Sequence, residues 1–284
     1  MVYTRERLEL ADGDFLDLDW AKAGHRRVAI ISHGLEGSST QNDVKTLAAA
    51  LNAAGWDALA WNFRGCSGEE NRLLQFYHSG ETLDLSIVVG HAAAEYPEIA
   101  VVGFSLGGNM ILKYLGEASP HPAIRVAVAV SAPIDLAASS RALDRRPGNG
   151  IYLRRFMKSL SAKVEAKALR YPLEIDPNGV RQVASFSEFD NRFTAPIHGF
   201  KDAAEYWSRS SALQFLPQIT IPTLLLSAKD DPFLAPECFP ETLAREHSYF
   251  YLEAPACGGH LGFLDLRGSW MNRRIPMFLN SRAC

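Results

Sequence analysis

No apolar run in this chain approaches the roughly 18 residues that a membrane-crossing helix needs. The opening Met1-Val-Tyr-Thr-Arg-Glu-Arg-Leu8 also lacks the apolar core of a secretory signal. Cysteine is scarce. Cys66, Cys238, Cys257 and Cys284 show no tight pairing pattern, which suits reduced thiols better than a disulfide framework. A cytoplasmic location is therefore expected. Neither His-Glu-x-x-His nor paired Cys-x-x-Cys occurs, and Cys257 with His260 finds no second pair at ligand spacing, so neither metal nor cofactor is expected. Positive charge is not in excess. A formal net charge of −3 argues against general nucleic-acid binding. The sequence has no internal repeat and no low-complexity tract.

What remains can bury a large core: 284 residues, 47% of them hydrophobic, fit one α/β domain with an insertion. Leu8-Glu-Leu10 and Phe15-Leu-Asp-Leu-Asp-Trp20, joined by Ala11-Asp-Gly13-Asp, read as a hairpin whose second strand alternates in polarity. Val28 to Ser32 reads as a strand buried on both faces, and a helix from Asn42 stops at Gly55. A strand at Trp56–Trp61, a helix at Thr82–Glu95, a strand at Ile99–Val102, a helix from Asn109 and a strand at Arg125–Val130 follow. That alternation predicts a mostly parallel sheet covered on both faces, with ligand chemistry at the carboxyl ends of its strands. His33, Arg64, Ser105 and Ser131 all lie at such ends.

Asp135 to Gln218 breaks the rhythm. It is too long for an ordinary connection, and Leu153, Phe156, Met157, Leu160 and Val164 recur at helical spacing, so a helical cap over 135–218 is expected, inserted in a core of 1–134 and 219–284. Between Arg141 and Arg170 stand Arg145, Arg146, Arg154, Arg155, Lys158, Lys163 and Lys167, and only Asp144 and Glu165 oppose them. This basic stretch reads either as a solvated face or as a surface for peripheral contact with an anionic membrane or acyl carrier. The alternation resumes with strands at Ile221–Ser227 and Tyr249–Leu252 and a closing helix from Trp270 to Leu279.

Gly103-Phe-Ser105-Leu-Gly107 lies between the strand ending at Val102 and the helix from Asn109. A serine at the tip of so sharp a turn sits in strained backbone geometry, and side chains at either glycine would clash. The turn also sets Ser105 at a helix N-terminus, where N–H groups and the helix dipole favour an oxyanion. A serine hydroxyl still needs a base and an acid to orient that base. On a strand–turn–helix nucleophile these follow in the order Asp/Glu, then His, after later strands. Asp231 follows Leu224-Leu-Leu-Ser227, and His260 sits in Gly258-Gly-His-Leu-Gly262. Asp231 is preferred to Asp230 because Pro232 helps to fix its turn; Asp230 reads as a cap or a solvent-facing group. His25, His78, His91, His121, His198 and His247 lack such placement and read as structural or exposed. For the oxyanion, the Leu106 N–H supplies one donor and the Leu35 N–H, in the His33-Gly-Leu35 turn, the second. The expected substrate is a small-molecule acyl ester. The same triad would serve acyl transfer or thioester cleavage on a carrier, whereas a binding protein would not need the triad and both turns together.

Taken together, His33-Gly-Leu-Glu-Gly-Ser-Ser39, Asn62-Phe-Arg-Gly-Cys-Ser-Gly68, Tyr77-His-Ser-Gly-Glu-Thr82, Gly103-Phe-Ser-Leu-Gly-Gly-Asn109, Phe189-Asp190 with Tyr206-Trp207, Asp230-Asp-Pro-Phe233 and Gly258-Gly-His-Leu-Gly-Phe263 resemble the YheT-like branch of the α/β-hydrolase superfamily, which includes EMB8-like proteins. The resemblance covers nearly the whole chain, although this chain starts close to the core, without the longer N-terminal segment of many relatives. It implies the α/β-hydrolase fold with an inserted helical cap. It further implies a serine hydrolase of esterase, lipase or thioesterase type, with Ser105, Asp231 and His260 as its triad.

Overall fold

The computed structural model describes residues 2–117 and 119–282, so Cys284 lies outside the described residues. The chain opens with the hairpin β1 (Thr4–Glu9) and β2 (Phe15–Ala21), then β3 (Arg27–Ser32), α1 (Asn42–Ala53), β4 (Asp57–Asn62) and α2 (Thr82–Ala93). β5 (Glu98–Phe104), α3 (Leu106–Glu117) and β6 (Ile124–Val130) complete the first half. One sheet runs in the order β1-β2-β4-β3-β5-β6-β7-β8, with β7 at Thr223–Leu226 and β8 at Phe250–Glu253. Within this sheet, among the described residues, the β1–β2 and β2–β4 pairings are antiparallel and the remaining pairs are parallel.

Local chemistry explains the element ends. α1 buries Val44, Leu47, Ala48 and Leu51, the spacing of one helical face. It stops where Gly55 takes φ +89°: the Trp56 N–H reaches the Leu51 carbonyl (3.0 Å) and the Gly55 N–H that of Asn52 (3.2 Å), closing a left-handed cap that favours glycine. The sheet separates two apolar layers. Leu85, Val88 and Val89 of α2 and Met110, Ile111 and Leu115 of α3 pack in one layer. α1 and the C-terminal helix, through Met271, Ile275 and Leu279, pack in the other.

The polar alternation of β2 misleads about its surroundings. Asp17 and Asp19 are buried rather than solvated. Arg7 grips Asp17 with two nitrogens (2.8 and 2.9 Å), and Arg5 grips Asp19 likewise (2.9 and 2.7 Å). Asp19 also accepts from Ser39 Oγ (2.5 Å) and Asn62 Nδ2 (3.0 Å), tying the loop after β3 and the end of β4 to the hairpin. Arg64, at the end of β4, has a structural task. It holds Asp84 of α2 with two bonds of 2.8 Å and reaches Asp12 at 2.7 Å.

Between β6 and β7 lie α4 (Leu136–Arg145), α5 (Gly150–Arg170), a run of short turns and α6 (Ala203–Ser210). On α5, Met157, Leu160 and Val164 are buried, with Leu153 and Phe156 partly so. The chain ends with α7 (Glu241–Glu246) before β8, a two-residue-per-strand hairpin at Leu264–Ser269, and α8 (Met271–Arg282). Among the described residues no helix is long and apolar enough to cross a membrane.

Candidate active site

Ser105 occupies the single residue between β5 and α3, with φ +50°, a left-handed value that a residue with a Cβ rarely adopts. Its N–H donates to the Val130 carbonyl (2.8 Å) and its carbonyl accepts from Asn109 N–H (3.0 Å), so neighbouring structure holds the strain in place. The flanking glycines are required by close approach. A Cβ on Gly103 would run into the carbonyl of Gly107. One on Gly107 would stand 2.5 Å from the His33 carbonyl oxygen and 2.6 Å from that of Ser32. Leu106 is the first residue of α3, so its N–H has no intrahelical acceptor.

The His33–Gly37 loop comes from the end of β3 and passes directly behind Ser105: a Cβ on Gly34 would lie 3.4 Å from Ser105 Cβ. His33 is fully buried. Its Nδ1 donates to the Gly34 carbonyl (2.8 Å), and Nε2 accepts the Phe63 N–H (3.2 Å). Ser105, Leu35, Leu106 and His260 line one cavity.

His260 Nδ1 is 2.8 Å from Asp231 Oδ2. The Asp231 side chain is wholly buried, and its other oxygen accepts the Phe233 N–H (2.9 Å). Adjacent Asp230 faces outward, and its Oδ1 accepts N–H groups from Gly258 (2.9 Å) and Gly259 (2.8 Å), shaping the loop that carries His260. Gly258 must be small, since a Cβ there would stand 2.8 Å from both Ala228 Cβ and the Phe263 ring. The Phe233 ring lies 4.4 Å from the imidazole, centroid to centroid, and limits its motion.

Three residues named in the sequence without a role at the site belong to it here. Ser131, also at φ +50°, donates from Oγ to the His260 carbonyl. The only sequence signal for it was its place at the end of β6. His78, read as structural or exposed, lines the cavity, and its ring lies 4.6 Å from that of half-buried His198. Asp190 also lines the cavity, within a wide turn at Asp190–Thr194. Burial raises its carboxyl to about 6 despite bonds from Thr194 Oγ1 (2.6 Å) and Trp207 Nε1 (2.8 Å).

The rest of the wall is mainly apolar, with Phe76, Phe156, Phe186, Phe189 and Phe233 prominent. Such a wall suits an apolar ligand group. Among the described residues no group of three or more His, Cys, Asp or Glu is arranged to hold a metal. Cys66, Cys238 and Cys257 are free thiols.

Residues 29–265 match the family model described as the alpha/beta hydrolase fold. The chain is 38% identical to Escherichia coli K12 "Putative esterase YheT", over 98% of this chain and 86% of that one. It is 29% identical to mouse "Phospholipase ABHD3", over 94% of this chain and 67% of the relative. Among solved structures, the Pyrococcus furiosus esterase Pf2001 superposes with a TM-score of 0.68 at 19% identity, covering 99% of this chain and 92% of the other. On the matched span and the YheT likeness, the chain belongs to the α/β-hydrolase family, in the branch that includes YheT.

Proposed function

We propose that this protein hydrolyses carboxylic esters through an acyl-enzyme formed on Ser105. One observation carries the reading: a strained serine at a helix N-terminus shares a cavity with a histidine whose far nitrogen is bonded to a buried aspartate. Ser105 Oγ attacks the ester carbonyl while His260 Nε2 takes its proton. Asp231 holds Nδ1–H and stabilises the imidazolium that forms. The N–H groups of Leu35 and Leu106 meet the oxyanion of the tetrahedral intermediate. His260 then protonates the departing alcohol. In the second half water gives a proton to His260, attacks the acyl group and frees the acid, and Ser105 recovers its proton. The names of the relatives, an esterase and a phospholipase, support this reaction class.

A fluorophosphonate probe and a nitrophenyl ester series test the reading. The wild type is expected to be labelled at Ser105. Ser105→Ala should remain folded, escape labelling and lose roughly 10⁴-fold or more in turnover. Wild-type activity in purified Ser105→Ala would overturn the assignment.

Residues 135–218 serve in this reading as a cap that selects the acyl group, and its basic flank meets an anionic lipid surface. Lys163 and Lys167 take no part in that flank because both are turned inward: Lys163 pairs with Glu36 (2.8 Å) and Lys167 donates to the Asn71 carbonyl (2.7 Å). Arg145, Arg154, Arg155 and Lys158 remain exposed, beside exposed Ile151 and Tyr152. Tyr152 packs on Phe233 (4.9 Å), which in turn packs on His260, so this end of α5 borders the cavity.

A further inference from the structure

Glu36 follows Leu35 directly and lies where the loop after β3 meets α5. Its φ is +53°. It takes the third position of a turn closed by the Gly37 N–H on the Gly34 carbonyl (3.0 Å), a position that with positive φ ordinarily selects glycine or asparagine. Its side chain explains why a glutamate is held there. The Glu36 N–H donates to Tyr77 Oη (2.7 Å), and the same hydroxyl donates to Glu36 Oε1 (2.7 Å). Lys163 Nζ donates to Oε1 (2.8 Å) and Ser159 Oγ to Oε2. Ser159 and Lys163 stand one turn apart on α5, and Tyr77 comes from the loop between β4 and α2.

The ion pair is nearly closed to solvent, with 8% of the Glu36 side chain and 12% of the Lys163 side chain exposed. Burial alone would raise the Glu36 carboxyl; the Lys163 ammonium and the two hydroxyls outweigh it and hold the group below its ordinary range. Such a buried pair adds little net stability, because desolvation offsets the Coulomb attraction. What it supplies is direction.

We propose that Glu36 is a positioning residue for the oxyanion hole: by bonding Lys163, Ser159 and Tyr77 it fixes the 34–37 turn so that the Leu35 N–H is aimed beside Ser105, and it makes that aim depend on the seating of α5. The inference rests on the acyl-enzyme reading above. Two residues of one helix thereby control a donor on a different loop. A substrate that seats α5 correctly completes the oxyanion hole, and displacement of α5 disarms it without touching Ser105 or His260.

The test compares Glu36→Gln, Lys163→Met and Tyr77→Phe with wild type for kcat and KM on a soluble nitrophenyl ester, melting temperature and inhibition by an alkyl trifluoromethyl ketone. The adduct of that ketone with Ser105 carries an oxyanion where the tetrahedral intermediate carries one. Expected are a fall in kcat of about 10- to 100-fold, less than loss of a whole donor, and KM within about twofold. Ketone affinity should weaken in step with kcat/KM. Lys163→Arg, which keeps the charge, should restore most of the loss. A purely structural role predicts lower melting temperatures with ketone affinity unchanged in the folded fraction, and that result would overturn the inference. If Glu36→Gln does not fold, Tyr77→Phe and Lys163→Met decide the matter. Absence of fluorophosphonate labelling in the wild type would overturn the acyl-enzyme reading and this inference with it. A labelled wild type beside unaffected variants would overturn this inference alone.

Discussion

Ser105 and Ser131 stand at the ends of the adjacent parallel strands β5 and β6, each with φ +50° and each passing its N–H to the end of the next strand. The acceptors are the Val130 carbonyl (2.8 Å) and the Leu226 carbonyl (2.7 Å). One serine lines the cavity, and the other ties down the backbone of His260. Backbone strain of this kind persists only where surrounding structure over-determines it. In the proposed reaction it serves both partners of the proton transfer.

Ser131→Ala keeps the strained backbone and removes only the tie to His260. Its expected effect is a loss of about 1 kcal/mol in stability, the net worth of one hydrogen bond. Turnover should fall by about 3- to 10-fold, since a base held less firmly spends less time in reach of the nucleophile. Steady-state kinetics and urea unfolding measure the two effects separately. Unchanged kcat in Ser131→Ala would leave the hydroxyl without a role in placing His260.

The neighbouring acids should part company on mutation. Asp231→Asn removes the charge that orients His260 Nδ1–H, so its turnover is expected to fall by about 10⁴-fold. Asp230→Ala frees the N–H groups of Gly258 and Gly259 and loosens the loop without touching the imidazole. Its expected loss is about tenfold or less, at roughly 1–2 kcal/mol in stability. Initial rates on one ester at saturating concentration rank the pair. The opposite ranking would exchange their roles.

Two histidines, buried His33 and half-buried His198, give stability a definite dependence on pH. Burial pulls His33 down from its ordinary 6.5 to about 4, and burial with the charge of His78 pulls His198 down to about 3. Both values lie below those of the unfolded chain, so below pH 6.5 the unfolded state binds more protons than the folded one. Stability is therefore complete above pH 6.5 and falls as pH drops toward 4. His33 alone accounts for about 3 kcal/mol over that window. Denaturation midpoints between pH 7.5 and pH 4.5 should trace the decline, and His198→Phe, which keeps a ring of similar size, should make it shallower. A flat profile would mean that these rings charge without cost in the fold.

Legibility in the sequence followed the range of the physics. Gly103, Ser105 and Gly107 could be read because their clash is local, within one turn and the chain that it touches. The parallel strands could be read because burial on both faces leaves unbroken apolar runs such as Val28–Ser32. Asp17 and Asp19 alternate with apolar residues just as a solvated face would, and it takes Arg5 and Arg7 on the partner strand, with Ser39 and Asn62, to turn that pattern inward. Ser131 with His260 and Lys163 with Glu36 join positions 129 and 127 residues apart, a juxtaposition that no local pattern encodes. For the same reason the basic stretch of 141–170 looked uniform in sequence. Two of its lysines are in fact internal struts.

The remaining basic residues make the membrane proposal testable. Arg154, Arg155 and Lys158 are exposed on α5 and form no ion pair among the described residues, while Ile151 beside them is 70% exposed. Basic groups near an anionic surface contribute roughly 1 kcal/mol each at moderate salt, and the attraction decays within a Debye length of about 8–10 Å. Cosedimentation should therefore show binding to phosphatidylglycerol-rich vesicles at low salt, release as salt rises, and little binding to phosphatidylcholine alone. Arg154→Glu with Arg155→Glu and Lys158→Glu should abolish binding yet leave hydrolysis of a soluble ester intact, because none of the three lines the cavity. Equal binding to neutral vesicles would shift the cause to insertion of Ile151 and Tyr152. No binding at low salt would make the flank an ordinary solvated surface.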